Sequence, residues 1–492
     1  MKSRFLVLIA FVFVFQFGES QEITEKLYET YGKYKEITLS KRRIKHIQLE
    51  PLIEELIANP MFEVNKVGES IEGRDLNLIS IGTGETDVFL WSQMHGNEPT
   101  ATQAIFDIFN FLDSKDFKKE KAIILSNLRL HFLPMLNPDG AERYQRRNVL
   151  GIDINRDALR LQSPEGRTLK RVRDSVDADF GFNLHDQSTY YNAELTPKPA
   201  TISYLAPAYN YEKEINEKRG NAMKVIVFMN DIIQRYAPGQ VGRYNDDFEP
   251  RAFGDNIQKW GTSTILIESG GYKNDAEKQE IRKLNYVSIL SAIYTIANES
   301  YKDISISKYE EIPQNDRKLF DLKIKNVTYD LLGEDYVLDL GIHRNEIDDE
   351  RHIKFHYKSV IADQGDLSTY YGYETFDGTG YRIIPPRMVA KTVPSSGNEE
   401  GFYILNSESL LKFGQAYIRM ASIPKELKYS NSPLHVVPTD YKLDDFRLQP
   451  GMNPTFFLQK EGKITHAVIN GFLIDVRKPL DDQDFINALI YR

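Results

Sequence analysis

His95 and Glu98 stand three residues apart in HGNE, after the apolar run VFLW and before the helical pattern of EPTATQAIFDIFNFL. An imidazole and a carboxylate at that spacing could clamp a metal ion. A polar loop that happens to contain a histidine is the plainer reading of the pair alone. A third group of the same chemistry, His185, lies in NLHDQ at the end of another expected strand. Two histidines and one carboxylate make a catalytic zinc set that leaves a fourth position open for water. A structural zinc site would want four protein ligands, usually with sulfur, and the chain contains no cysteine. The same absence removes a thiol nucleophile, a disulfide framework and a lipid-anchored cysteine.

Other segments carry the remaining chemistry. NPDG, from Asn137, closes a strand, and RRNVLGIDINRD gathers Arg146, Arg147, Asp153, Asn155 and Arg156. ILIESGG places Glu268 at the end of a run rich in isoleucine. A glutamate there is costly unless it is used; a salt bridge to a nearby arginine would be its structural role. The ordered set HxxE, NPDG, an arginine ahead of DxNR, a lone histidine and a strand-end glutamate resembles the M14 family of zinc carboxypeptidases. The resemblance covers roughly residues 60 to 300.

The resemblance implies one zinc ion per chain, held by His95, Glu98 and His185, with Asp153 behind the first histidine. It implies that Glu268 is the general base and that Arg146 stabilises the oxyanion of the tetrahedral intermediate. Arg147 is the alternative by a one-residue slip. Asn155 and Arg156 match the pair that holds the substrate's terminal carboxylate, and a guanidinium suits a bidentate grip. The reading expects Arg156 to be a buried cation whose structural partner, if it has one, is Asp157 or Glu165. Tyr244 is placed where the family's mobile tyrosine should lie. The floor of the specificity pocket falls near Phe253 and Asp255.

These residues need a scaffold. DLNLISIG, DVFLWSQ, LRLHFLP, FGFNLHD and STILIES read as strands between turn signals. EPTATQAIFDIFNFLDS, RTLKRVRDSVDAD, YEKEINEKRGNAMKVIVFMNDIIQRY and DAEKQEIRKLNYVSILSAIYTIANES carry helical spacing. Strands alternating with helices predict an α/β domain with a largely parallel or mixed sheet, and ligands gather beyond the C-terminal ends of such strands. The resemblance sharpens this to a carboxypeptidase-like α/β/α sandwich over residues 21–305. After about residue 305 short strands replace helices, which predicts a smaller β-rich C-terminal domain over 306–492, of unassigned role. SISKYEEIPQND is the candidate joint. His352 and His356 are four apart, but HIKFHYKSV alternates like a strand, so a metal role there is declined.

A chain of 492 residues with 41% hydrophobic and 27% charged residues is ordinary globular material. Its net charge of −9 argues against nucleic acid as a partner. Residues 1–20 run from Lys2 and Arg4 through an apolar stretch, Phe5 to Phe17, into small and polar residues. That is the order of a secretory signal, too short for a comfortable membrane span. It predicts export to the periplasm or extracellular space, with an uncleaved anchor as the alternative. No second stretch is long enough to cross a bilayer. The expected function is a zinc metallocarboxypeptidase acting on a peptide or peptide-like substrate with a free C-terminal carboxylate. Two rivals are an aspartoacylase-like deacylase of N-acyl amino acids and a non-catalytic binding module on the same fold.

Overall fold

The computed structural model describes residues 22–394, 407–430, 432–480 and 488–492. The expected export signal, residues 1–20, lies outside the described residues. Among those residues no helix is long and apolar enough to cross a membrane. The chain divides into two compact units at Arg317/Lys318.

The first unit begins with helix α1 (residues 22–30), two short 3-10 turns and α2 (His46–Ala58). The hairpin β1 (Glu63–Glu69) and β2 (Asp75–Ile81) follows, then β3 (Thr86–Ser92), α3 (Thr100–Asp113), α4 (Lys118–Asn127) and β4 (Leu128–Leu133). Next come α5 (Pro138–Glu142), α6 (Pro164–Val176), β5 (Phe180–Asp186), β6 (Asn192–Ala193), β7 (Ile202–Leu205) and α7 (Glu217–Tyr236). The unit closes with β8 (Val241–Arg243), α8 (Phe253–Lys259), β9 (Ser263–Ser269), α9 (Gln279–Ala297) and β10 (Asn315–Asp316). Eight strands form one sheet in the order β1-β2-β4-β3-β5-β9-β7-β8. The central strands β4, β3, β5 and β9 run parallel, while β1, β2 and β7 pair antiparallel, so the sheet is mixed.

The sheet separates two cores because strand side chains alternate faces. Val88, Leu90, Phe180, Phe182, Leu184, Ile265 and Ile267 face a large core shared with α3, α7 and α9. Phe89 and Trp91 face a smaller core shared with α6 and α8. His185 and Glu268 fall on the alternate positions of β5 and β9, so both point to the α6/α8 side. In the parallel register between those strands, His185 is paired with Glu268.

The start of the unit is tied down by charge. Arg282 on α9 and Asp107 on α3 form a pair with no side-chain exposure. Arg282 also donates to the carbonyls of Leu39 and Glu36, and Asp107 accepts from Tyr31 Oη and the Glu36 N–H. The expected joint, SISKYEEIPQND, belongs to this unit rather than bridging two. Tyr309 is buried and accepts the Ala206 N–H at 3.0 Å, and β10 pairs with β6.

The second unit, from Lys318, is β-rich as expected, but its first three strands are long, at 13, 15 and 11 residues, rather than short. The strands Leu319–Leu331, Glu334–Asp348 and Phe355–Gly365 form an antiparallel meander within an eight-stranded sheet. His356 lies on the third of these strands and stacks on Tyr429, with no metal-ligand cluster around it among the described residues. The strands Lys463–Ile469 and Phe472–Asp475 meet through Asn470 and Gly471, both at positive φ, as a tight hairpin requires. Asn470 is fully buried; its amide accepts from the Ser359 N–H and donates to the Tyr357 carbonyl.

Removing one member of a buried ion pair strands the other. Arg282→Met should therefore destabilise the first unit by ~3–5 kcal/mol, read by urea denaturation. A loss below about 1 kcal/mol would show that Asp107 is satisfied without it.

Candidate metal centre

The loop after β3 carries two ligand candidates, and the NPDG turn holds that loop. Gln93, at φ 52, turns the chain out of the strand. Its side chain donates to the Gly96 carbonyl at 2.9 Å, while its own carbonyl accepts the Asn137 N–H at 3.0 Å. Asn137 caps α5 by accepting the Gly140 N–H, and its amide nitrogen donates to the carbonyls of Met94 and Arg146. A Cβ at Gly96 would lie 2.0 Å from the Gly140 carbonyl carbon, so no larger residue fits where these two segments cross.

Three side chains converge at the C-terminal ends of β3 and β5. Glu98 divides its carboxylate between two imidazoles, with Oε1 2.9 Å from His95 Nδ1 and Oε2 2.8 Å from His185 Nδ1. The two rings are 4.9 Å apart. The ligand atoms of all three lie within 4.8 Å of one another, and all three residues are buried. His95 Nε2 contacts Asp153 Oδ1 at 3.1 Å. A proton on that nitrogen leaves the Nδ1 lone pair facing the cluster. Arg146 donates through Nε to Asp153 Oδ2 at 3.0 Å and through Nη1 to Glu98 Oε1 at 3.3 Å. Arg147 turns away and donates to the Gly151 carbonyl.

The electrostatics follow from burial and proximity. Burial opposes ionisation of Glu98, but His95 and His185 outweigh it and hold the carboxyl well below its usual range. Asp153 is likewise held low, against burial, by His95 and Arg146. Glu268 moves the other way: burial first, then the charges of Glu98 and Asp186, push it well above the usual carboxylate range. Its carboxyl accepts no hydrogen bond from any described residue. Burial and then the charge of Glu268 raise the Tyr244 phenol, and its ring meets Tyr191, 6.1 Å between centroids.

One expectation is corrected. Arg156 is not buried, and neither Asp157 nor Glu165 pairs with it. Its side chain is 36% exposed and its Nε lies 3.5 Å from Glu249 Oε2. Asp157 instead accepts from the backbone of Gln162 and Ser163, and Glu165 accepts from Asn148. Asn155 accepts the Phe253 N–H at 2.9 Å, joining its segment to the start of α8. Asp255, on that first turn, accepts the Glu249 N–H, and burial pushes its carboxyl up to about 7. Sequence reading missed Asp186, Lys278 and Thr100, which interlock behind the cluster. Adjacency to His185 could have flagged Asp186, but nothing in the local pattern marks the other two.

Two imidazole nitrogens and one carboxylate, in a chain without cysteine, fit a zinc ion with an open position. A family model described as zinc carboxypeptidase matches residues 52–215. That stretch is similar to zinc carboxypeptidases and makes up about a third of the chain. It contains His95, Glu98, Arg146, Asp153, Asn155, Arg156 and His185, while Tyr244 and Glu268 lie beyond it. Carboxypeptidase E of Caenorhabditis elegans is 34% identical over 119 residues, covering 20% of this chain and 25% of that protein. Carboxypeptidase SOL1 of Arabidopsis thaliana is 27% identical over 176 residues, covering 29% of this chain and 35% of that protein. The chain thus spans between 25% and 35% of the length of these two relatives. The crystal structure of a metallo-carboxypeptidase from Burkholderia cenocepacia overlaps 52% of this chain and 69% of its own, at 16% identity and a TM-score of 0.43.

The raised carboxyl of Asp255 makes a stability prediction. Its folded pKa of about 7 lies above the ordinary 3.8, so the folded state binds the proton more tightly. That stability is complete below pH 3.8 and is lost as pH rises through about 7. Asp255→Asn keeps the acceptor for Glu249 but cannot ionise. Chemical denaturation should find it more stable than the parent by ~3–4 kcal/mol at pH 8 and close to unchanged at pH 4. Equal stabilities at pH 8 would mean that Asp255 ionises in the fold without cost.

Proposed function

We propose that this protein is a zinc-dependent metallocarboxypeptidase that hydrolyses the C-terminal amide bond of peptides or peptide-like substrates. The observation that carries the reading is the convergence of His95, Glu98 and His185 beside a register-paired, solvent-reaching Glu268. Held by those three residues, zinc would supply a Lewis acid and a water of lowered pKa.

The chain's own groups do the rest. Glu268, whose proton affinity burial raises, takes a proton from the attacking water and returns it to the leaving amine. Arg146 keeps its guanidinium half-exposed at the edge of the cluster, where it can stabilise charge developing on the scissile carbonyl oxygen. Asp153 keeps His95 and Arg146 aimed, since it holds both. Arg156 is a cation whose partner, Glu249, is distant and partly exposed, so an incoming terminal carboxylate can displace it. Asn155 has committed its oxygen to Phe253 and retains its amide nitrogen for the same carboxylate. Tyr244, at the position of the family's mobile tyrosine, is the residue that would close over bound substrate. The order of residues 1–20 supports export to the periplasm or extracellular space.

Glu268→Gln should lower kcat by ~10²–10⁴-fold, with zinc content unchanged at one per chain by elemental analysis. A variant retaining more than about a tenth of wild-type kcat would remove Glu268 from the proton-transfer role.

Carboxylate recognition is tested by two enzymes on two substrates. Wild type should cleave a peptide acid about 30-fold better in kcat/KM than its C-terminal amide, corresponding to ~2 kcal/mol for one charge-assisted contact. Arg156→Ala should erase that difference by losing activity on the acid alone. An amide cleaved as well as the acid by wild type would sink the carboxypeptidase reading; equal loss on both substrates would make Arg156 structural.

A further inference from the structure

Behind the cluster lies a buried ion pair that the proposed chemistry does not use. Asp186 follows His185 at the end of β5, and Lys278 precedes α9; their side chains are 6% and 5% exposed, with Nζ 3.0 Å from Oδ2. Lys278 also donates to the Ser269 carbonyl at 2.8 Å, directly after Glu268. Thr100, fully buried at the start of α3 and two residues past Glu98, donates its hydroxyl to the same Asp186 oxygen at 2.6 Å. The Asp186 backbone N–H donates to Glu98 Oε2 at 3.2 Å. One carboxylate and one ammonium therefore join three elements at the residues that flank Glu98, His185 and Glu268.

We propose that Asp186 and Lys278 form a charged strut whose role is to position the metal ligands and Glu268. The inference rests on the zinc reading above. Three physical arguments carry it. First, β5 and β9 end at these residues, with Asp186 paired to Ser269 as the last step of the ladder, and the ammonium adds a side-chain tie between the two strand ends through Asp186 Oδ2 and the Ser269 carbonyl. Second, a buried ion pair is poor value as stability alone, since an apolar pair of similar volume commonly does as well. Its charge is better explained by the site it adjoins. Third, four carboxyl groups, Glu98, Asp153, Asp186 and Glu268, share two cations, Arg146 and Lys278. Without Lys278 the cluster keeps a single cation. Asp186 and Lys278 touch no substrate, so they are positioning residues. Partners of this kind behind metal ligands typically govern affinity or activity by ~10–100-fold.

The test measures zinc affinity of the full chain by competition with a chromophoric chelator, and kcat and KM at saturating zinc. Lys278→Met should weaken zinc binding by ~10–100-fold and lower kcat with KM within about twofold, while Lys278→Arg restores part of both. A merely structural strut would lower the unfolding midpoint and leave zinc affinity and kcat of the folded protein unchanged. Thr100→Val removes a single hydrogen bond to Asp186 and should weaken zinc by about fivefold, so it carries the test if Lys278→Met fails to fold. Variants with zinc affinity and kcat within twofold of wild type would overturn the strut alone. A wild-type chain that binds no zinc would overturn the metal reading itself.

Discussion

One carboxylate, that of Glu98, lies buried between two imidazoles and gives an oxygen to each. The rest of the site is organised around that sharing. A carboxylate stripped of water is expensive unless cationic or hydrogen-bonding groups surround it. Glu98 meets that requirement with His95, His185, Arg146 and a backbone N–H from Asp186. Bringing those groups together requires the ends of β3 and β5 to lie side by side, and the parallel register then delivers Glu268 opposite His185. The alternation of strand side chains does the sorting: odd positions of β5 support the site, even positions fill the larger core. Gly96 and Gly140 complete the arrangement by letting the two loops cross at backbone distance.

Much of this was legible because it is local. HxxE, the NPDG turn and the DxNR segment are short stretches whose residues stay near one another in space, and the strands β3, β5 and β9 behind His95, His185 and Glu268 are marked by their composition and turn signals, whereas α8, which carries Phe253 and Asp255, is not. What the sequence concealed depends on long-range pairing. Arg156 looked like a cation needing a neighbour within its own segment, yet its partner Glu249 is 93 positions away and the side chain reaches solvent. Lys278 reads as one more lysine before a helix; nothing local says that its chain is buried and that its ammonium meets Asp186. The unit boundary was displaced for a related reason. Composition changes near residue 305, but Tyr309 and Asn315 are held by Ala206, Ala193 and Gln187, contacts that no window of sequence contains.

The two units treat buried polar groups differently, and the contrast bears on why charge sits where it does. In the β-rich unit, Asn470 is as deeply buried as any residue of the metal centre. Its needs are met by neutral groups: Ser359, Asn453, Thr455 and the Tyr357 carbonyl. That solution fixes a hairpin without the desolvation cost of an ion. The first unit could have been built the same way, yet it buries Arg282 with Asp107 and Lys278 with Asp186. The former pair spans α3, α9 and the N-terminal turns, where Arg282 donates five hydrogen bonds and Asp107 accepts four, which makes an ion pair geometrically useful. The latter has fewer partners, and Asp186 keeps one buried oxygen without a donor. A pair that is incompletely satisfied yet charged is a poor stabiliser. It makes physical sense beside a site whose carboxylates exceed its protein cations, because there the ammonium does what an amide cannot: it holds geometry and offsets charge in the same contact.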